Sequence, residues 1–177
     1  MNKIATHNSV TGEKGRGILS LLVTLFSKCQ SKTLEEQYNS GCRYFDIRYK
    51  WDEDEGEYLC AHGLWTSKKT LFEVLKWMNS KGDCYCMLTC EKGEPMDEYW
   101  MNRIVVIYNF IKFTSFNVKY PEWTVKKVIN PTPSISSYKI LNWDTWHTLL
   151  PIPWLWKKIY YNKPVFNTTT FTFVDFL

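Results

Sequence analysis

Hydrophobic and polar positions along this chain fall into short blocks, some alternating with a period of two and others repeating at helical spacing, and the two kinds take turns. Residues 2–6 form a short run that reads as a strand, followed by a loop rich in glycine and charge up to Gly17. Residues 17–26 are apolar almost throughout. A bilayer span needs about 18 such residues, so this run predicts a core helix. Thr33 and Glu36 form a capping box for a helix from Leu34 to Asn39, which Gly41 ends. Residues 43–49 read as a strand with Tyr44, Asp46 and Arg48 on one face and Phe45 and Ile47 on the other.

The acidic stretch 52–57 predicts a solvated hairpin tip, because it lacks the spaced ligands and closing Glu of a calcium loop. Residues 58–61 return as a strand and deliver His62 at its end. Thr70 and Glu73 make a second capping box, with Leu71, Val74, Leu75 and Met78 at helical spacing before Gly82. Residues 84–90 are nearly continuous in apolar character, as a buried parallel strand should be. Beyond Pro95, the residues Trp100, Ile104, Ile107, Tyr108 and Ile111 mark one helical face. Residues 124–129 and 138–141 read as strands around the loop 130–134. Residues 143–161 are aromatic-rich and broken by Pro151 and Pro153, and 171–177 form a last strand.

This order predicts an α/β fold with a largely parallel sheet, closed as a TIM-like (β/α) barrel. Such barrels usually run to roughly 200–250 residues, so a chain of 177 predicts a shortened or incomplete one. No repeat or linker divides the sequence, and residues 1–177 read as a single domain and a monomer.

Charge narrows the partners. Twenty-two Lys and Arg against 18 Asp and Glu give +4, too mild and scattered for nucleic acid, and compatible with weak attraction to anionic lipid at a membrane periphery. Six cysteines lack metal-finger spacing and read as buried free thiols. With no apolar segment ahead of His7 to serve as a signal peptide, the default expectation is cytoplasmic.

Two of the three histidines stand where strand-like runs end, His7 in Thr6-His7-Asn8-Ser9 and His62 in Ala61-His62-Gly63. In a barrel that is where catalytic groups gather. A strand face offering Asp46 and Arg48 beside them suits phosphoryl chemistry: Arg binds phosphate bidentately and keeps its proton, while paired histidines serve as general base and acid. The plainer reading of such a cluster is a structural ion-pair network. His147 reads as structural or exposed, and the aromatics and lysines of 154–161 as core packing with solvated lysines.

Taken together, Thr6-His7-Asn8-Ser9, the run from Gly41 through Arg48, and His62-Gly63 closely resemble the catalytic X domain of the phosphatidylinositol-specific phospholipase C family, in its bacterial, metal-independent branch. The resemblance is densest over residues 4–92 and resumes at Phe173-Val174-Asp175-Phe176, while 95–165 match weakly. It implies cleavage of a phospholipid or inositol-phosphate-like phosphodiester by a neighbouring hydroxyl, without a cofactor. On that resemblance His7 matches the general base, Asp175 the carboxylate orienting it, Arg48 the group stabilising transition-state charge, and His62 the acid protonating the leaving alcohol.

Asn8 departs from the pattern. The bacterial branch often has Asp there, supporting both the Arg and the acid His, and an amide cannot raise the pKa of His62 as a carboxylate would. Asn at this place matches the calcium-dependent eukaryotic branch, in which Asp46 and Glu91 would be further ligands. Arg48 occupies the remaining carboxylate position, and a fixed cation opposes a divalent one, so no metal is expected and calcium at Asn8, Asp46 and Glu91 is the alternative. Without an ion, Asp46 and Glu91 fall on the substrate side, Glu91 pairing with Arg48 or meeting a substrate hydroxyl. The related glycerophosphodiesterase barrel expects a Glu-x-Asp pair where this chain has Asp46-Ile47-Arg48. Residues 142–146 weakly resemble a segment that holds inositol, with Asp144 accepting from ring hydroxyls and Trp146 covering a ring face; a helix cap and a core residue are equally good readings of the two. A non-catalytic head-group or membrane-binding module is the rival from another class.

Overall fold

A computed structural model describes residues 3–118, 130, 133–139 and 168–175. In chain order it contains strand β1 (Ile4–Thr6), a 3-10 turn (Ser9–Gly12), helix α1 (Gly17–Ser27), helix α2 (Leu34–Asn39), strands β2 (Cys42–Asp52), β3 (Glu57–His62) and β4 (Trp65–Thr70), helix α3 (Leu71–Lys81), strand β5 (Tyr85–Lys92), helix α4 (Glu98–Ile107), and strands β6 (Lys112–Val118), β7 (Ile135–Lys139) and β8 (Phe171–Val174). Both capping boxes form: the Thr33 and Thr70 hydroxyls accept from the amides of Glu36 and Glu73, whose carboxylates accept in return from the cap amides. Each is worth about 1 kcal/mol to its helix.

Six strands run parallel in the order β6-β5-β2-β1-β8-β7. The antiparallel β3-β4 ribbon extends the far end of β2, which is long enough to pair with β1 first and β3 later. Among the described residues no pairing joins β6 to β7, so the mixed α/β sheet is eight-stranded and a closed barrel is not seen.

Alternation along the strands separates two packed regions. Phe45, Ile47 and Tyr49 of β2, with Cys86, Leu88 and Cys90 of β5, pack with Leu71, Val74, Leu75 and Met78 of α3 in the main core. The opposite face holds Ala5, Tyr44, Phe171 and Phe173, with Tyr85 and Met87 against them. Tyr44 meets Phe171 and Phe173 edge-on at 5.5 and 4.9 Å between centroids, closing the floor of the inner face. All six cysteines are buried and free, as expected of a chain without metal-finger spacing.

Several expectations need correction. Residues 17–26 do form a helix, but not a core one: α1 lies on β4 through Ser20 and leaves most of its aliphatic side chains outside. Helix α4 buries Met101 and Ile104, whereas Trp100 and Ile107 are exposed and Ile111, although buried, lies beyond the helix. Asp97 caps it, the carboxylate accepting from the Trp100 amide, and the Trp100 ring lies at the surface under Arg103. Strands β4 and β6 are additional; β4 in particular is Lys- and Thr-rich, without an apolar run to announce it. The strand expected at 138–141 runs instead over Ile135–Lys139. The segments 124–129 and 143–161, with Asp144, Trp146 and His147, lie outside the described residues.

Candidate active site

Strand parity brings the polar cluster together. Tyr44, Asp46 and Arg48 share the inner face of β2, and Glu91 shares that of β5 with Tyr85 and Met87. Phe171 and Phe173 lie on the inner face of β8, so Asp175, two residues further, falls on the same side. The β1–β8 register sets Thr6 opposite Val174, and the next residues, His7 and Asp175, meet where both strands end.

His7 is held from both ring nitrogens. Its Nδ1 is 2.8 Å from Asp175 Oδ1, and Asp175 is buried. A carboxylate only accepts, so Nδ1 carries the proton and Nε2 presents its lone pair. Arg48 Nη2 donates to that Nε2 at 3.0 Å, with Asn8 Nδ2 at 3.1 Å. The imidazole is thus oriented by a carboxylate on one side and faces a guanidinium on the other, an arrangement able to take up a proton beside a fixed positive charge. Gln30, fully buried, donates from Nε2 to the carbonyls of both His7 and Val174, at 2.8 and 2.9 Å, pinning the two strand ends.

Arg48 is flanked by two buried carboxylates. Nε donates to Asp46 Oδ2 at 3.2 Å and Nη1 to Glu91 Oε2 at 3.1 Å. Burial works against its charge, but Asp46 and Glu91 outweigh that and raise its pKa further, so it stays cationic. The second Glu91 oxygen accepts from the Gly63 amide at 2.9 Å, in a turn where Gly63 takes a positive φ. An ion held by Asn8, Asp46 and Glu91 would have to share these carboxylates with the guanidinium between them, so the donor set does not fit a divalent cation.

His62 sits on the other side of Asn8. Its Nδ1 donates to the Ser27 carbonyl at 2.8 Å, and its Nε2 accepts from Asn8 Nδ2 at 3.2 Å. Burial is the main cause that lowers its pKa to about 4; Arg48 and His7 add to it, while Glu91 and the Ser27 carbonyl pull the other way. The imidazole is therefore neutral at pH 7.

Asn8 is the hub. It adopts a left-handed conformation (φ 46°, ψ 51°), tolerated by Asn better than by most residues. Its amide N–H donates to Asp46 Oδ2 at 3.1 Å, and its Nδ2 faces His7, His62 and the Cys29 sulfur at 3.3 Å. Its Oδ1 and the Asp46 Oδ1 are buried and without hydrogen-bond partners.

Seven residues singled out in the sequence thus share one cluster: His7, Asn8, Asp46, Arg48, His62, Glu91 and Asp175. Asp144 and Trp146 lie outside the described residues. Cys29, Gln30 and the Ser27 carbonyl were not expected there. They arrive with the last residue of α1 and the loop after it, anchored by Thr11 Oγ1, which accepts from the amides of Cys29 and Gln30 at 3.0 and 3.1 Å. Burial, then the Asp175 carboxylate, push the Cys29 thiol well above its ordinary pKa, so it stays protonated. His7, Cys29 and Asp175 have ligand atoms within 4.8 Å of one another, but His7 and Asp175 already use theirs on each other.

No family model matches the sequence, and no curated protein does. Among solved structures, the fold is similar to phosphatidylinositol-specific phospholipase C from Listeria monocytogenes, with a TM-score of 0.58 and 12% identity, over 99% of this chain and 88% of that one. At that identity the likeness is one of fold.

Proposed function

We propose that this chain is a phosphodiesterase of the phospholipase C kind, built on a shortened barrel and acting on a phospholipid whose head group carries a hydroxyl next to the phosphate. His7 Nε2 takes the proton of that hydroxyl while Asp175 holds the ring. The oxygen attacks phosphorus, and Arg48 bears the charge gathering on the phosphoryl oxygens. The bond from phosphorus to the lipid alcohol breaks, and His62 returns a proton to the departing oxygen. His62 must first acquire that proton, and the negative phosphate supplies the field that raises its pKa.

The observation that carries this reading is the chain Asp175, His7, Arg48, linked at 2.8 and 3.0 Å. The test is release of water-soluble phosphate ester from phosphatidylinositol vesicles by the purified chain and by His7→Ala. A loss of at least about 10² in rate supports it. Equal rates, or no release by the unaltered chain, would falsify it. One feature favours the non-catalytic rival: His62 is neutral as the site stands. Vesicle binding without release of phosphate ester would decide for that module.

A further inference from the structure

The backbone that carries the first histidine is tied down by side chains. The carbonyls of Thr6, His7, Asn8 and Ser9 each accept from a buried polar group, in order Ser9 Oγ, Gln30 Nε2, Thr11 Oγ1 and Gln37 Nε2, all at 2.8 Å. Regular structure gives out in this stretch: Thr6 is the last residue of β1, and Asn8 takes a left-handed backbone, which persists where its surroundings over-determine it. The rung of the sheet beside the imidazole is the bond from the His7 amide to the Val174 carbonyl, at 3.1 Å.

The four donors differ in reach. Ser9 and Thr11 lie in the turn itself, and Gln37 joins Ser9 to the Lys32 carbonyl, at 2.7 Å, two points outside the sheet. Among the described residues, Gln30 is the one of the four that also binds β8, donating to the Val174 carbonyl at 2.9 Å. A carboxamide nitrogen has two protons, and here one goes to the strand end bearing His7 and the other to the strand end bearing Asp175. The group therefore gauges the separation across which His7 Nδ1 meets Asp175 Oδ1 at 2.8 Å. Gln30 is itself fixed, because its amide donates to Thr11 Oγ1 at 3.1 Å and that hydroxyl donates to the Asn8 carbonyl. Being neutral, it satisfies both carbonyls without bringing a positive charge to the strand that ends in Asp175, where a lysine would compete with His7 for the carboxylate.

We propose that Gln30 is a positioning residue for the His7–Asp175 pair: by clamping both strand ends it keeps the ring and the carboxylate at the distance that fixes the proton on Nδ1. Its consequence for rate rests on the phospholipase reading, so the test includes a signal that does not depend on turnover. In the full chain labelled with heavy nitrogen in its histidines, the His7 Nδ1 proton should give an imidazole resonance protected from exchange with water, identified by its absence from His7→Ala. Gln30→Met, of similar length but without donors, should lose that protection. It should also lower kcat on phosphatidylinositol vesicles by about tenfold to a hundredfold with little change in KM, the cost of a slightly displaced reacting group. Gln30→Asn keeps an amide but is a methylene shorter; it should fall between, and it decides the matter if the Met variant does not fold. Gln37→Met is the control for stability alone, since it strips the same chemistry from a glutamine that is equally buried. It should lower the urea midpoint, as Gln30→Met does, yet keep the protected resonance and a kcat within about threefold. The proposal is overturned if Gln30→Met keeps either the resonance or the original rate, or if Gln37→Met loses both to the same degree, which would make Gln30 one strut of the fold among others. If the unaltered chain releases no phosphate ester, the phospholipase reading fails by itself and the resonance alone decides: lost in Gln30→Met and kept in Gln37→Met supports the clamp, kept in both overturns it.

Discussion

The two histidines of the cluster are anchored by different acceptors. His7 gives its Nδ1 proton to the Asp175 carboxylate and turns Nε2 toward Arg48, whereas His62 gives its proton to the Ser27 carbonyl and turns Nε2 toward the Asn8 amide. A carboxylate stabilises an imidazolium strongly and a backbone carbonyl much less. The first arrangement fixes the proton on Nδ1 and leaves Nε2 facing a cation; the second holds a ring that burial keeps neutral. One side chain type thus meets two settings according to what orients it.

The comparison breaks most visibly at Asp175. In Asp175→Asn the amide can donate as well as accept, so it no longer fixes the proton on His7 Nδ1. A loss of about 10² to 10⁴ in kcat on phosphatidylinositol vesicles is expected, with unchanged far-ultraviolet circular dichroism. A variant as active as the original would show that His7 needs no carboxylate, and the contrast with His62 would lose its meaning.

Stability against pH probes the other histidine. The folded His62 titrates near 4 and an unfolded one near 6.5, so between those values the folded state binds fewer protons. Its contribution is therefore complete above about pH 6.5 and is lost as pH falls toward 4, by at most about 3 kcal/mol. Urea midpoints across that window should fall more steeply for the unaltered chain than for His62→Gln, which has no charge to acquire. Parallel curves would place His62 in a wetter setting than the Ser27 and Asn8 contacts imply.

Much of this contrast was legible in the sequence, and the reason is local. The inward set Tyr44, Asp46 and Arg48 follows from strand parity, and helices α2 and α3 follow from capping boxes that close within four residues. What holds His62 was not legible, because the Ser27 carbonyl is backbone that any residue could supply, and Cys29 and Gln30 enter through tertiary packing of a loop. Helix α1 was misjudged for a related reason. Hydrophobic content announces a helix, but which face is buried depends on a partner, and β4 offers a peptide group that suits Ser20 better than leucine.

Asn8→Asp sharpens the comparison by making the two sides alike. Asp tolerates the left-handed conformation of residue 8 nearly as well as Asn. A carboxylate where Nδ2 now lies 3.2 Å from His62 Nε2 favours the imidazolium and raises its pKa from about 4 toward the ordinary value. On the proposed mechanism His62 is protonated to release the alcohol, so the alkaline limb of the profile of kcat/KM against pH should move up by about one unit or more. A limb that stays put, or moves down, would remove His62 from the acid role.

The smallest effect belongs to Cys29, beside both rings. Asn8 Nδ2 has two protons and three acceptors, the His7 and His62 nitrogens at 3.1 and 3.2 Å and the Cys29 sulfur at 3.3 Å. In Cys29→Ala the two protons can settle on the two imidazoles, so only weak sulfur contacts to Asn8, Ser27 and His62 are lost, worth about 1 kcal/mol. The rate on vesicles should change by less than about tenfold. The thiol, raised in pKa by burial and by Asp175, should also react only slowly with iodoacetamide at pH 8 in the folded chain. Rapid alkylation, or an Ala variant as damaged as His7→Ala, would mean that Cys29 acts as a thiolate and that the division of labour between the two histidines includes a third group.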